Sequence, residues 1–184
     1  GLTVIEGNAE FDLKQFPINS FDYVVLGQTL QAFINPEIVI KELLRVGKKA
    51  IVTIPNFGHW KVRLDLLTKG KMPVTSTLPN NWYNTPNIHM CTIKDFVNFS
   101  KIMNFKIFKS LALINKNVSD INNSNLFLKN LFSELGIFLI EKNELRIEII
   151  KCLQDNYSYL IIDEKNNTAC VVDPSEAAPI INFI

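Results

Sequence analysis

Two short apolar runs, separated by a well-capped helical segment, limit the fold more than any other feature of the 184-residue chain. Phe21–Leu26 reads FDYVVL and Lys49–Pro55 reads KAIVTIP. Nearly continuous apolar runs of this length suit strands covered on both faces, the habit of parallel sheets. Between them Asn35 is a good N-cap, Pro36 fits the first helical position and Glu37 complements the helix dipole. Ile38, Val39, Leu43 and Val46 fall on one predicted face, and Gly47 supplies a stop. Strand, helix and strand in this order imply a parallel sheet with right-handed crossovers. The apolar run Leu2–Glu6, ending at Gly7, suits another buried strand, and Phe11–Ser20 reads as a polar, turn-like stretch.

The rhythm then loosens. Gly58–Lys69 has a helical pattern with Trp60, Leu64 and Leu67 on one side. Residues 70–91, rich in Pro, Asn, Ser and Thr, read as a long loop of the kind that is functional or disordered. Thr92 and Asp95 have capping-box spacing for a helix to Met103, with Phe96, Phe99 and Met103 as its buried face. Asn104 is suited to end that helix in a left-handed conformation. Phe105–Ile114 is a predicted strand, Asn115–Asn125 a polar loop, and the stretch to Glu141 ends in the strand GIFLIE. Joined without a crossover helix, these two strands should pair antiparallel. Arg146–Cys152, Tyr157–Asp163 and Thr168–Val172 form a meander linked by turns at Asp155-Asn156 and Lys165-Asn166-Asn167, before a helix starting near Asp173-Pro174-Ser175. That change of architecture sets a boundary near residue 143 and domains of 1–143 and 144–184.

Hydrophobic residues at 47% and charged residues at 20% are enough for an ordinary buried core. A net charge of +1 gives no general drive toward nucleic acid or an anionic membrane. No apolar run reaches the roughly 18 residues of a membrane span, so neither nucleic acid nor membrane is an expected partner and the expected location is the cytoplasm. Cys91, Cys152 and Cys170 are odd in number and form no CxxC pair, which argues against a disulfide framework. His59 and His89 lie in different loops with no third ligand at metal spacing, so no metal site is expected. Cys91 with a histidine leaves a nucleophile pair open, although a structural thiol is the commoner case. Neither a GxGxxG nor a Walker A run is present.

Ligands of doubly wound sheets sit at the carboxyl ends of the strands. Here those ends are Gly7-Asn8-Ala9-Glu10, Gly27-Gln28-Thr29-Leu30 and Asn56-Phe57-Gly58-His59-Trp60. Glycine permits close backbone approach, and the amides and hydroxyls offer hydrogen bonds. From spacing alone, ligand contact and plain turn stand level. Trp60, Trp82 and Tyr83 either line a pocket or cover the core, with the core slightly favoured.

The runs FDYVVLGQTLQAFINPE (21–37), LLRVGKKAIVTIPNFGHWKVRL (43–64), GKMPVT (70–75) and WYNTPNIHMCTIKDF (82–96) resemble the MetW family. These are methionine-biosynthesis proteins with a class I S-adenosylmethionine (SAM) methyltransferase-like fold. The resemblance implies an α/β, Rossmann-like sheet that is incomplete, holding strands three to seven. Strand one, its glycine-rich SAM loop and the acidic end of strand two would precede Gly1, and a start at Gly rather than Met agrees with a truncated reading frame. Carried over by position, Gly7, Asn8 and Ala9 would face the adenine of SAM, and Gln28 and Thr29 its methionine moiety. Related sequences often have Asp where Asn8 stands. Asn56, Phe57, His59, Trp60, Tyr83 and His89 are taken as one pocket for a substrate or partner, with no catalytic residue assigned. The family also implies a homoserine O-acyltransferase partner, which some members serve as a companion subunit.

The run RIEIIKCLQDNYSYLIIDEKNNTACVVDPSEA (146–177) resembles the start of hydroxyacylglutathione hydrolase (glyoxalase II), with Ser175 where that family usually has Gly. That implies β strands of a truncated metallo-β-lactamase-type domain, whose metal-binding HxHxDH run would follow Ile184. Together the resemblances imply a read-through or sequencing fusion of two neighbouring genes, with a bifunctional enzyme as the alternative. Lacking strand one, Phe21–Leu26 should become an exposed apolar edge. The expectation is a chain that is poorly stable alone, or one whose appended strands cover that edge. Without its glycine loop it should not hold SAM tightly or act as an enzyme.

Overall fold

Ala50, Val52 and Ile54, alternate residues of one strand, are completely buried, and the larger part of the protein is built around them. The computed structural model describes residues 7–143, 145–163 and 168–183 and divides the chain into two units, 1–142 and 143–184. The predicted strand Leu2–Glu6 and turn Lys165–Asn167 lie outside the described residues.

The first unit holds a sheet of β1 (Phe21–Gly27), β2 (Gly47–Pro55), β3 (Phe105–Ile114), β4 (Asn117–Asp120) and β5 (Leu135–Lys142), in the order β1-β2-β5-β3-β4. β1 and β2 are parallel, with Val25 opposite Ile51. β5 runs antiparallel between β2 and β3, so that Phe138 faces Val52 on one side and Ser110 on the other. The expected parallel pair and the expected antiparallel closing pair are both present.

Helix α1 covers Ala9–Asp12, α2 Pro36–Val46, α3 Trp60–Lys69, α4 Ile93–Ile102 and α5 Leu126–Phe132. α2 begins with Pro36 in its first turn, carries Glu37 there and Arg45 in its last turn, and buries Val39, Ile40, Leu43, Leu44 and Val46. Ile38, expected on that face, is exposed. Asn35 makes no side-chain cap; its backbone N–H donates instead to the buried Glu10 carboxylate at 2.6 Å. Gly47 does not turn left-handed but opens β2 with φ −108°. What requires glycine there is close packing, because a Cβ would lie 2.6 Å from the Val24 side chain. On α4 the capping box between Thr92 and Asp95 is formed, and Phe96 stacks on Phe138 with ring centroids 4.3 Å apart. Asn104 follows with φ 52°, as predicted.

Three segments depart from the sequence reading. Phe11–Ser20 starts inside α1, because the Asn8 side chain accepts from the Glu10 N–H at 2.9 Å and caps a turn there. Asn115–Asn125 is not a plain loop. Asn115 and Lys116 both take positive φ, 47° and 70°, and return the chain as β4 beside β3. α5 then lies between β4 and β5. In the second unit, α6 (Ala177–Phe183) starts later than the predicted helix. β6 (Leu145–Cys152), β7 (Asn156–Asp163) and β8 (Thr168–Val172) pair antiparallel in that order as a sheet of their own. Ile150, Cys152, Leu160 and Ile180 form this unit's core.

Among the described residues β1 pairs only with β2. Its Val24 and Leu26 point into the packed side, whereas Phe21, Tyr23 and Val25 alternate with them and are exposed, Val25 to 66%. An apolar edge strand with one bare face is a template for self-association. Val25→Lys should therefore raise the monomeric fraction of the 184-residue chain on size-exclusion chromatography while leaving its far-ultraviolet circular dichroism unchanged.

At the end of β2, Asn56 is 1% exposed and uses its whole carboxamide. Nδ2 donates to the carbonyls of Asn130 (2.8 Å) and Ser133 (2.7 Å). Oδ1 accepts from the N–H groups of Gly58 (2.9 Å) and Ile93 (3.3 Å). Asn56→Ala strands these four groups without partners, and leaving buried polar groups unpaired costs about 1–3 kcal/mol each. A loss of roughly 3 kcal/mol or more is expected in urea unfolding. Asn56→Asp, which turns a carboxylate on two carbonyl oxygens, should do no better.

Candidate functional site

The carboxyl ends of β1 and β2 open on the same edge of the sheet, since the two strands are parallel and in register to Gly27 and Thr53. Gln28 leaves β1 with φ 52°, a left-handed conformation uncommon for a residue with a side chain. Its N–H holds that turn by donating to both the carbonyl (3.0 Å) and the hydroxyl (2.9 Å) of Thr53. Gln28 and Thr29 are exposed, and nothing lies within 4 Å of where a Cβ on Gly27 would point. Gly7 and Asn8 are exposed and Ala9 half-buried at the start of α1. The Asn8 side-chain oxygen is already taken by its capping bond, and a Cβ on Gly7 would run into the Asp12 carboxylate at 2.6 Å. Both residues thus serve the local turn.

Two buried polar residues organise this edge; sequence reasoning placed Glu10 at a strand end without seeing its role and did not single out Gln31. Glu10 ties the α1 turn to the start of α2 through the Asn35 N–H. Gln31, 4% exposed, donates from Nε2 to the Gln28 carbonyl (2.6 Å) and the Asn87 side chain (3.0 Å). Its backbone carbonyl accepts from the N–H groups of Ile88 and His89, both at 3.0 Å, which fastens the end of the long 70–91 segment beside the exit of β1. A polar residue followed by an apolar one in a short turn carries no pattern that would have marked it.

The six residues taken as one pocket separate. Asn56 is inside the fold. The Phe57 N–H donates to the Cys91 carbonyl at 3.1 Å. His89 lines an apolar recess of about 380 Å³ with Leu30, Ile54, Cys91, Phe96 and Phe99. Tyr83 is not on the lining of this recess; it meets Trp82 edge to face at 5.8 Å, and both rings are at least 70% exposed. The aromatic trio does not cover the core, because of α3's residues only Val62 is buried and Trp60 stays 40% exposed. The Cys91 thiol is pushed up to about 12, first by burial and then by the Asp95 carboxylate, which removes it as a nucleophile at neutral pH.

His59 and Trp60 line a different cavity, of about 470 Å³, walled by α3, residues 74–77 and Glu134. His59 is buried at the N-cap of α3, where Nδ1 accepts from the Lys61 N–H at 3.3 Å, so the proton of the neutral ring sits on Nε2. Burial holds its pKa below the usual imidazole value, the Glu134 carboxylate opposes that, and the Lys61 ammonium reinforces it. Among the described residues no group of three or more His, Cys, Asp or Glu side chains could hold a metal ion, and no helix is long and apolar enough to cross a membrane.

The family described as methionine biosynthesis protein MetW matches residues 1–140. A bifunctional methionine biosynthesis protein MetXA/MetW from Rhodopirellula baltica is 38% identical over 96 residues, 52% of this chain and 15% of the relative. A hydroxyacylglutathione hydrolase from Pelagibacter ubique is 62% identical over 40 residues, 22% of this chain and 17% of that enzyme. The chain thus spans less than a fifth of either curated relative. A SAM-dependent methyltransferase from Thermotoga maritima, described as a possible histamine N-methyltransferase, superposes with a TM-score of 0.54 at 17% identity, over 78% of this chain and 65% of that one. That likeness is one of fold, and it agrees with the mixed sheet and helix arrangement of the first unit. With most of its length under a single family match, the chain belongs to the MetW family of methionine biosynthesis proteins.

Proposed function

We propose that residues 1–143 are the strands three to seven of a cytoplasmic, SAM-binding protein of MetW type. In this reading the Gly7, Asn8 and Ala9 turn lies beside the adenine and Gln28 and Thr29 beside the methionine moiety. The observation that carries it is the exit of β1. A left-handed Gln28, held twice by Thr53 and open to solvent over Gly27, stands at the sheet edge where doubly wound folds take their ligands. The glycine loop that grips the cofactor precedes Gly1 in this reading, so the 184-residue chain by itself is inactive. Titration calorimetry separates the two species. A longer protein that includes the preceding strand and loop should give saturable heat with SAM, and this chain should give none at the same concentrations. Tight binding of SAM by the 184-residue chain would overturn the assignment.

A companion role toward a homoserine O-acyltransferase is the second reading. The Rhodopirellula baltica relative, which carries MetXA and MetW in one chain, supports it. So do the apolar side chains left outward on α3 and α5, with Leu67 84% and Phe127 71% exposed. A MetW-type protein with its SAM loop disabled should then still raise the activity of the acyltransferase in a purified mixture; an unchanged rate speaks against the role. Residues 144–184 are, in the same proposal, the opening strands of a hydroxyacylglutathione hydrolase domain joined by gene fusion, a reading supported by the 40-residue match.

A further inference from the structure

We propose that the cavity between α3 and residues 74–77 binds the zwitterionic head of a small α-amino acid. Its lining holds one carboxylate and one ammonium that meet no counter-ion among the described residues. Glu134 stands at the start of β5, and Lys61 lies in the first turn of α3 with Nζ 5.6 Å from the Trp60 ring. Asp65, also on the lining, is already neutralised by Lys69 at 2.7 Å. The fields of Glu134 and Lys61 meet at His59, which both act on with opposite sign. Because burial keeps that ring neutral, it adds no third charge and can offer an Nε2 hydrogen to a ligand oxygen.

Lys61 is exposed and Glu134 half-buried, so a ligand with a single charge would pair with one of the two groups and leave the other without a counter-ion. A molecule carrying an ammonium and a carboxylate on adjacent atoms answers both. Trp60 gives its aliphatic part a flat apolar wall. The volume of about 470 Å³ falls within the range of small-molecule sites, roughly 300–1,000 Å³, and leaves room for an amino acid with a few waters. The inference stands on this cavity and its charges, so it can fail while the SAM assignment holds, and the reverse.

The test uses the 184-residue chain with Trp82→Phe, which leaves Trp60 as the sole tryptophan reporter. Three probes of matched chain length are titrated: L-norleucine, pentylamine, which lacks its carboxylate, and hexanoate, which lacks its amine. Norleucine should change the emission saturably, and the two singly charged probes should bind about tenfold or more weakly. Glu134→Gln should bring hexanoate level with norleucine, and Lys61→Met should do the same for pentylamine. Equal binding of all three probes by the unsubstituted cavity, no saturation with norleucine, or full discrimination kept by both variants would each overturn the proposal. The comparison of probes on the unsubstituted cavity stands even if a variant fails to fold.

Discussion

The carboxamide of Asn56 joins parts of the chain that no local pattern connects. Its donors reach carbonyls 74 and 77 residues further on, and its acceptor takes N–H groups from the start of the α3 turn and the first turn of α4. The backbone of the same residue donates to the Glu134 carbonyl and accepts from the His59 N–H, at 2.9 and 3.3 Å. Every hydrogen-bonding group of Asn56 is therefore spent on positioning α3, α4, α5 and the start of β5 around the end of β2. Gly58 beside it has to be small, because a Cβ would lie 3.0 Å from the side-chain amides of both Asn56 and Asn130. A buried network with all members satisfied fixes one arrangement, since any slip leaves a polar group unpaired in a low-dielectric interior.

The sheet shows the opposite balance. On its packed side Val52, Phe138 and Ile140 are wholly buried against α2 and α4, with the Phe96–Phe138 stack at the centre. Strands in parallel register normally have helices on both faces. Here the first strand of the pair turns Phe21, Tyr23 and Val25 to solvent, and Ile51 and Thr53 opposite are only half-buried. The core stabilises one side of a sheet whose apolar pattern is written for two, which is the physical content of the sequence-based expectation of an exposed edge.

Legibility followed the range of the interactions. α2 and α4 were readable because their signals are local: a proline in the first turn, a capping box three residues long, an apolar face at helical spacing. β3 was readable to the residue because an apolar run bounded by Asn104 and Asn115 marks both of its ends. β4 was missed because Lys116 in a left-handed conformation is not a residue that signals a hairpin. α5 was missed because it spans seven residues and leaves Phe127, Leu128 and Phe132 outward, so it has no clean buried stripe. Asn56 was read as a ligand contact for the same kind of reason. A polar residue just past a strand looks like part of a site until its distant partners are known, and those of the Asn56 side-chain donors lie 74 and 77 residues on.

One strand sets both halves of the candidate site. Thr53 faces away from the packed core and holds Gln28 through its hydroxyl and carbonyl, so the geometry of the β1 exit depends on the register of β2 against β1. Three residues on, Asn56 fixes His59 and Glu134 at the cavity. Because alternate residues of a strand point to opposite faces, Thr53 cannot move without Val52 and Ile54, which are locked in the core. The two exits are thereby held at a fixed separation by a rigid element rather than by the loops that carry them. A disturbance of β2 should reach both, whereas changes in residues 74–77 should touch the cavity alone.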